Sequence, residues 1–502
     1  MPDNTGRLST PPRDEIRHTV YGHTADASID AELWYVAEVD RAHLVMLAER
    51  GLVERDVVAR VLWGINELVE SRFEPLRDRP ASRGLYFLYE GHLVARLGAE
   101  VGGHLRLGKS RNDLGATVMK MRLRRCYLRL LTAGTRLLDV LSERGQELAG
   151  VMMPAFTHGQ VAVPVTLGHY FLAIALGLSR DLEWLAHAFL PFERCPLGAG
   201  AVGGTSVPID HRRTAELLGF RDSAVNSIDA VAARDEVPRV LGAASCCAIT
   251  LSRMAQDLFS WSSGETGFIH FPDRAVGSSS MMPQKRNPFP LEHIKGRTAG
   301  PLGALAAATC AMHSEPYSNS IAVGTEAVGY FWQAAEQLTD ALVLTRVMVE
   351  EAEPRPDRMR RRAHDGLAAA TVLAESLACS KTVTFLEAHR IVGEASTEAL
   401  ASGEQLGSVV HRKLGHRGLV APGLPADLDS AAERLRFGAA ASPAAVEKGV
   451  AAVRAASRDI MTQLREREQR WSTAAETLRT IVGDQLSRAN HGPGCGEDEE
   501  KS

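Results

Sequence analysis

Ser278, Ser279, Ser280, Lys285, Arg286 and Asn287 crowd into one short stretch, Gly277 to Pro288, and their types suit the handling of negative charge. Small residues let the backbone approach a ligand closely, and the hydroxyl, amine, guanidinium and amide groups supply donors. The stretch reads as a loop that closes over something. Pro288 can open a helix, because proline is tolerated at the first helical position, and Leu291, Ile294 and Lys295 continue at helical spacing. The loop then ends on a helix N-terminus, where backbone N–H groups and the macrodipole favour an anion. A surface Gly/Ser loop with a basic edge carries the same residue types, so the stretch alone leaves both readings open.

Two further polar knots precede long apolar patterns. Gly108 to Asp113 contains Lys109, Ser110, Arg111 and Asn112; ordinary N-capping by Asn or Asp beside a solvated Arg accounts for it equally well. Phe156-Thr157-His158-Gly159-Gln160 places an imidazole in a turn, where a hydrogen-bonded structural histidine is the commoner case. Pro196 to Thr205 is too glycine-rich for a helix and reads as a close-approach loop. It is a weak match to a phosphate cradle, since it lacks a Lys-Ser/Thr ending and no strand pattern precedes it.

The elements that must hold these knots are helical. The 502 residues are 45% hydrophobic but only 6% aromatic, and Ala and Leu recur among Arg and Glu, a helix-forming composition. Ala31 to Glu54, Val57 to Ser71 and Leu85 to Leu97 show apolar residues three to four apart, the first two as an antiparallel pair. From Val118 to Leu141 the pattern continues without a proline until Pro154, too long for an average globular helix, and a bundle is the economical way to cover it. Leu241 to Ser263 and Thr325 to Val349 suit the centre of such a bundle. Glu350 to Arg362, charged and holding Pro354 and Pro356, marks a boundary. Gly366 to Leu406 gives two shorter helical segments and Ser442 to Leu478 one or two more. Strand-like alternation is not sustained anywhere.

A formal charge of -4 on so long a chain argues against nucleic acid as the main partner and leaves any anionic ligand to a local basic pocket. The seven cysteines form no CxxC pair, which argues against a zinc site or a disulfide framework and favours a reducing cytosol. Met1 to Arg17 lacks the apolar core of a signal peptide, and no apolar run reaches membrane-spanning length. A cytoplasmic protein without membrane partners is expected.

The three knots resemble the separated regions that build the active site in the fumarase/aspartase superfamily. The Gly277–Pro288 loop is similar to its signature, a pair of serines followed by Met-Pro-x-Lys-x-Asn-Pro, and argininosuccinate lyase is the nearest member. Gly108 to Asp113 and Met153 to Gln160 resemble that family's Gly-Arg-Ser-Arg-Asn-Asp and Met-Pro-x-Tyr-Thr-His-x-Gln. Pro196 to Thr205, Asn226 to Asp229 with Arg234-Asp235, and Phe385 to Glu394 follow in the family's order. The resemblance implies an all-α, three-domain fold whose long central helices associate into a homotetramer, each active site drawing one knot from each of three subunits. The expected divisions are 1–108, an N-terminal helical domain; 109–353, the central bundle with loop 277–288; 354–486, a C-terminal helical domain; and 487–502, a disordered tail.

The reaction the resemblance implies removes a proton beside a carboxylate, expels an amine and leaves fumarate, so the site must stabilise charge growing on that carboxylate. Ser279 aligns with the catalytic serine and would act as an alkoxide-like base. Lys285, loop N–H groups and the helix N-terminus would favour its deprotonated form, a bias a serine needs. Lys285 and Asn287 would hold the carboxylate, with Ser278 and Ser280 donating. Glu292 matches the carboxylate that pairs with the family histidine, here His158, and would orient it. Arg111, Asn112, Thr157 and Gln160 would bind the succinyl carboxylates, Ser28 resembles a further substrate-binding serine, and Tyr317 keeps a substrate-contact tyrosine. The resemblance calls for no metal or organic cofactor.

Two stretches depart from argininosuccinate lyases. Their Glu-Asp-Ile-His before the residue matching Glu90 is Arg83-Gly84-Leu85-Tyr86 here. Their Tyr-Asn-Lys-Asp followed by Gln-Glu-Asp is Tyr317-Ser318-Asn319-Ser320-Ile321-Ala322-Val323. Lost polar partners shift selectivity strongly. The expectation is a carbon-nitrogen lyase for an N-substituted aspartate other than argininosuccinate, such as a diamine-linked disuccinate or a specialised aspartate adduct. A true argininosuccinate lyase and a catalytically silent, crystallin-like structural protein are the alternatives.

Overall fold

The computed structural model describes residues 10, 12–22, 29–77, 79, 81 and 83–490. Helices dominate, and their apolar residues gather into three main clusters. The first packs Trp34–Glu49 against Arg55–Glu70 and Leu85–Leu97, with Leu44, Met46, Leu62 and Tyr89 buried. The second and largest is the bundle of Arg111–Glu147, Leu167–Ala188, Glu236–Ser262, Val328–Glu350 and Pro443–Asn490. The third is small, built from Ala370–Cys379, Phe385–Ser402 and Leu406–His416.

The 37-residue helix Arg111–Glu147 is the axis of the bundle. Leu130, Leu131, Leu137, Leu138 and Leu141 are buried along it, against the helices Leu167–Ala188, Val328–Glu350 and Pro443–Asn490. Burying each leucine contributes roughly 1.5–3 kcal/mol, which a solitary helix of any length lacks. Its N-cap is Ser110, whose hydroxyl accepts from the Asn112 N–H at 3.3 Å, while Asp113 accepts from the Ser110 N–H at 2.8 Å. The cap is therefore the serine, and Asp113 is its third-position partner.

The last helix spans 48 residues, Pro443–Asn490, as one uninterrupted element. Residues 487–490, expected in a disordered tail, continue it, and 491–502 lie outside the described residues. It does not pack with the third cluster. Val446, Val450, Val453, Ile460 and Leu464 are buried in the central bundle, and Leu478 and Val482 in the N-terminal cluster.

Strand structure is sparse but includes one hairpin, Met152–Thr157 paired antiparallel with Gln160–Thr166, where no strand was expected. Met152, Met153 and Pro154 are all buried, so the segment shows no alternation by which to read it. Its turn is His158-Gly159, with φ of 52° and 74°; two positive values in a two-residue connection match the twist of the flanking strands. Among the described residues, no helix is long and apolar enough to cross a membrane, and the six described cysteines are free thiols.

Candidate active site

The first knot is held by Asp113. Its carboxylate accepts from the Gly198 and Gly200 N–H groups at 3.0 and 2.8 Å as well as from Ser110, which ties the glycine-rich loop to the start of the long helix. Burial pushes this carboxyl up, and the backbone donors pull against that shift. Gly200 has φ of 59°, and a Cβ there would collide with the Gly204 carbonyl, so glycine is required. Asn112 Nδ2 donates to the Ala201 carbonyl at 3.2 Å, and the Arg111 guanidinium lies over the Phe87 ring at 4.3 Å. Both line a cavity of about 630 Å³.

The departing stretches reach the same cavity. Leu85, Tyr86, Asn319, Ser320 and Ile321 are in its wall, beside Val328 and Trp332. The Tyr86 hydroxyl is buried without a partner, and burial pushes its phenol up. Among the described lining residues Glu32 is the only carboxylate, and Arg122 already holds it at 2.9 Å while stacking on Trp332 at 4.2 Å. Arg234 also lines the cavity. It is 4% exposed, its Nε has no partner, and its φ is 53°, an uncommon backbone for arginine. The sequence reading left Arg234 out of the site; its only signal was membership of the Arg234-Asp235 pair. Tyr317 stands nearby in sequence, its hydroxyl donating to Asp229 at 3.0 Å.

The second knot is the hairpin tip. Thr157, His158 and Gln160 are exposed there, and among the described residues their side chains make no hydrogen bond. Phe156, just before the tip, packs on Phe268 with ring centroids 6.2 Å apart.

In the signature loop, Gly277 and Asn287 exchange backbone hydrogen bonds, 2.8 Å each way, and so close the loop at its base. Asn287 Nδ2 donates to the Ser278 carbonyl at 3.4 Å. The Ser279 hydroxyl oxygen accepts from the Met281 and Met282 N–H groups at 3.3 and 3.0 Å. Donors aimed at that oxygen favour its charged form. Arg286 is tied down to Asp273 and the Phe271 carbonyl, whereas Ser280 and Lys285 are exposed. Phe289 opens the following helix, Phe289–Arg297, over Gly277, where a Cβ would come within 2.8 Å of the ring. Glu292 sits on the first turn and is exposed.

One chain thus brings Arg111 and Asn112 to the cavity, holds Ser278, Ser279, Ser280, Lys285, Asn287 and Glu292 on the loop and its helix, and carries Thr157, His158 and Gln160 on the hairpin. Among the described residues no hydrogen bond or ion pair joins these three groups, and the expected His158–Glu292 pair is not made within one chain. Ser28 lies outside the described residues.

Comparison with known proteins shows the family. A family profile described as "Lyase" matches residues 87–300. Argininosuccinate lyase 1 of Shouchella clausii is 32% identical over 398 residues, covering 79% of this chain and 80% of that protein. The argininosuccinate lyase of Methanoculleus marisnigri is 35% identical over 402 residues, covering 78% of each. An EDDS lyase variant with bound fumarate superposes with a TM-score of 0.84 at 25% identity, over 96% of this chain and 100% of that one. A class II fumarase from Schistosoma mansoni shares the fold, with a TM-score of 0.65 at 16% identity over 80% of this chain and 92% of the fumarase. These likenesses define a class of all-α lyases. The chain belongs to the fumarase/aspartase superfamily, in its argininosuccinate lyase-like branch, and is a carbon-nitrogen lyase that releases fumarate.

Proposed function

We propose that this lyase cleaves an N-substituted aspartate other than argininosuccinate, giving fumarate and an amine. The observation that carries the reading is the lining of the cavity beside Arg111 and Asn112. Both stretches that depart from argininosuccinate lyases contribute residues to it, and among the described lining residues the single carboxylate, Glu32, is already paired with Arg122. A guanidinium entering there finds no free carboxylate among the described lining residues.

In the elimination, Ser279 takes the proton from the carbon beside the distal carboxylate. The electron pair forms the carbon-carbon double bond, and the carbon-nitrogen bond breaks at the neighbouring carbon. Lys285 and Asn287 hold the carboxylate on which charge grows, with Ser278 and Ser280 donating to it. The departing amine gains a proton on the side where His158, oriented by Glu292, stands. Arg111, Asn112, Thr157, Gln160, Tyr317 and Ser28 bind and orient the dicarboxylate.

The groups meet when chains associate, so the working unit of this reading is a homotetramer with each site shared by three subunits. Ala299–Met312 supports association: this helix carries Leu302, Leu305 and six alanines, yet only Pro301 and Ala308 are buried in the single chain. A helix this apolar, with Leu302 41% exposed, favours an interface between chains.

The test is fumarate absorbance on mixing the enzyme with argininosuccinate, ethylenediamine-disuccinate and simple N-alkyl aspartates. Fumarate from the latter compounds with little from argininosuccinate is expected. Efficient turnover of argininosuccinate would overturn the reading in favour of the activity named in the relatives of 32–35% identity.

A further inference from the structure

Away from the active site, the last helix crosses the long central helix at a small polar cavity. It measures about 10 Å³, about the space one small guest needs, and Arg124, Tyr127, Glu193, Arg467 and Trp471 line it together with Phe189 and Phe192. Three of its buried polar atoms lack partners: Arg124 Nη2, the Tyr127 hydroxyl and Trp471 Nε1. The arginine and indole nitrogens only donate, and the phenol can donate. Burial pushes the Tyr127 phenol up to about 12, so the hydroxyl keeps its proton at neutral pH.

The charges are equally one-sided. Arg124 is stacked over Phe220 at 4.2 Å and Trp471 at 5.0 Å, and Arg467 lies over the Tyr127 ring at 4.7 Å. Glu193, the carboxylate of the cluster, is committed to Arg470 and lies 4.0 Å from Arg467. Burial pulls the Arg124 guanidinium down to about 10, with the Glu193 charge opposing it, and Nη1 donates to the Leu218 carbonyl at 2.8 Å. One Glu193 oxygen is taken by Arg470, and the three unpartnered groups can all donate. An anion only accepts.

We propose that this junction binds one small monovalent inorganic anion of the halide class, held by the Arg124 guanidinium, the Tyr127 hydroxyl and the Trp471 indole N–H, and that the anion staples the last helix to the central one. The aromatic walls of Phe189 and Phe192 suit a weakly hydrated ion such as chloride or bromide.

Thermal unfolding of the full-length oligomer in sodium chloride, bromide and gluconate, at one pH and one ionic strength, tests it. Chloride and bromide raise the midpoint saturably, by roughly 1–3 °C, and gluconate does not. Trp471→Phe and Tyr127→Phe each remove at least half of that rise and leave fumarate release unchanged. Crystals grown in bromide show an anomalous peak in the cavity. Equal midpoints in all three salts, a rise untouched in both variants, or an ordered water in place of bromide each overturns the proposal. Should one variant fail to fold, the other variant and the bromide crystal still decide it.

Discussion

Ser279, the proposed base, is the residue on which the signature loop converges at the scale of one side chain. Two backbone donors point at its oxygen from Met281 and Met282. Ser279→Ala is expected to lower kcat by at least about a thousandfold, comparable to losing a principal catalytic group, while gel filtration shows the oligomer unchanged. Retained turnover would assign the base elsewhere. A second titrating residue acts on stability. His43 is buried, with Nε2 against the Leu107 carbonyl at 2.7 Å; burial first, then the nearby Lys109 charge, pulls its pKa to about 3. The unfolded chain therefore binds a proton near pH 6.5 that the folded chain refuses until about pH 3. Stability contributed by neutral His43 is complete above pH 6.5 and lost as pH falls toward 3, up to about 5 kcal/mol by linkage. Urea unfolding at pH 7 and pH 4.5 should show this slope, and His43→Leu should flatten it.

Among elements, the glycine-rich loop and the long helix behave as one unit because Asp113 joins them. Gly200→Ala forces both a strained φ and a clash with the Gly204 carbonyl, and is expected to cost about 1–3 kcal/mol. Displacing the loop also frees Asn112 from Ala201, so KM should rise more than kcat falls; unchanged kinetics would show that the loop does not position Asn112. Elements with a plain period were legible from residues alone: Leu85–Leu97 agrees with its expected bounds, and Arg55–Glu70 is displaced by one or two residues. The hairpin was not, since its buried Met152-Met153-Pro154 run hides the pleat and the His158-Gly159 turn signal is short. The N-cap of the long helix is Ser110, while Asp113, a capping candidate beside Asn112, accepts from the backbone N–H groups of Ser110, Leu114, Gly198 and Gly200.

For the whole molecule, the separation of the three knots is the decisive property. The motifs named the residues of the three knots but not Arg234, and that His158 and Glu292 do not pair within one chain is a matter of their placement in space, which no motif records. If sites are shared between chains, inactive Ser279→Ala and His158→Ala proteins, dissociated and reassembled together, should recover measurable fumarate release. Refolding each alone should give none, and failure of the mixture would place the complete site within one chain. The last helix was harder still to read. Its apolar stripe was visible from Ser442 to Leu478, but a stripe does not name its partner, and the C-terminal neighbours in sequence are not its neighbours in the fold.

That helix extends about 72 Å at 1.5 Å per residue, and its far end completes the cluster formed by the first helices of the chain. During synthesis, Leu47, Leu62 and Tyr89 emerge long before Leu478 and Val482, which share their core. At 5–20 residues per second the interval from Leu97 to Leu478 is roughly 20–80 s. Throughout it the nascent N-terminal helices present an open apolar seam, and a ribosome-bound chaperone has its longest opportunity there.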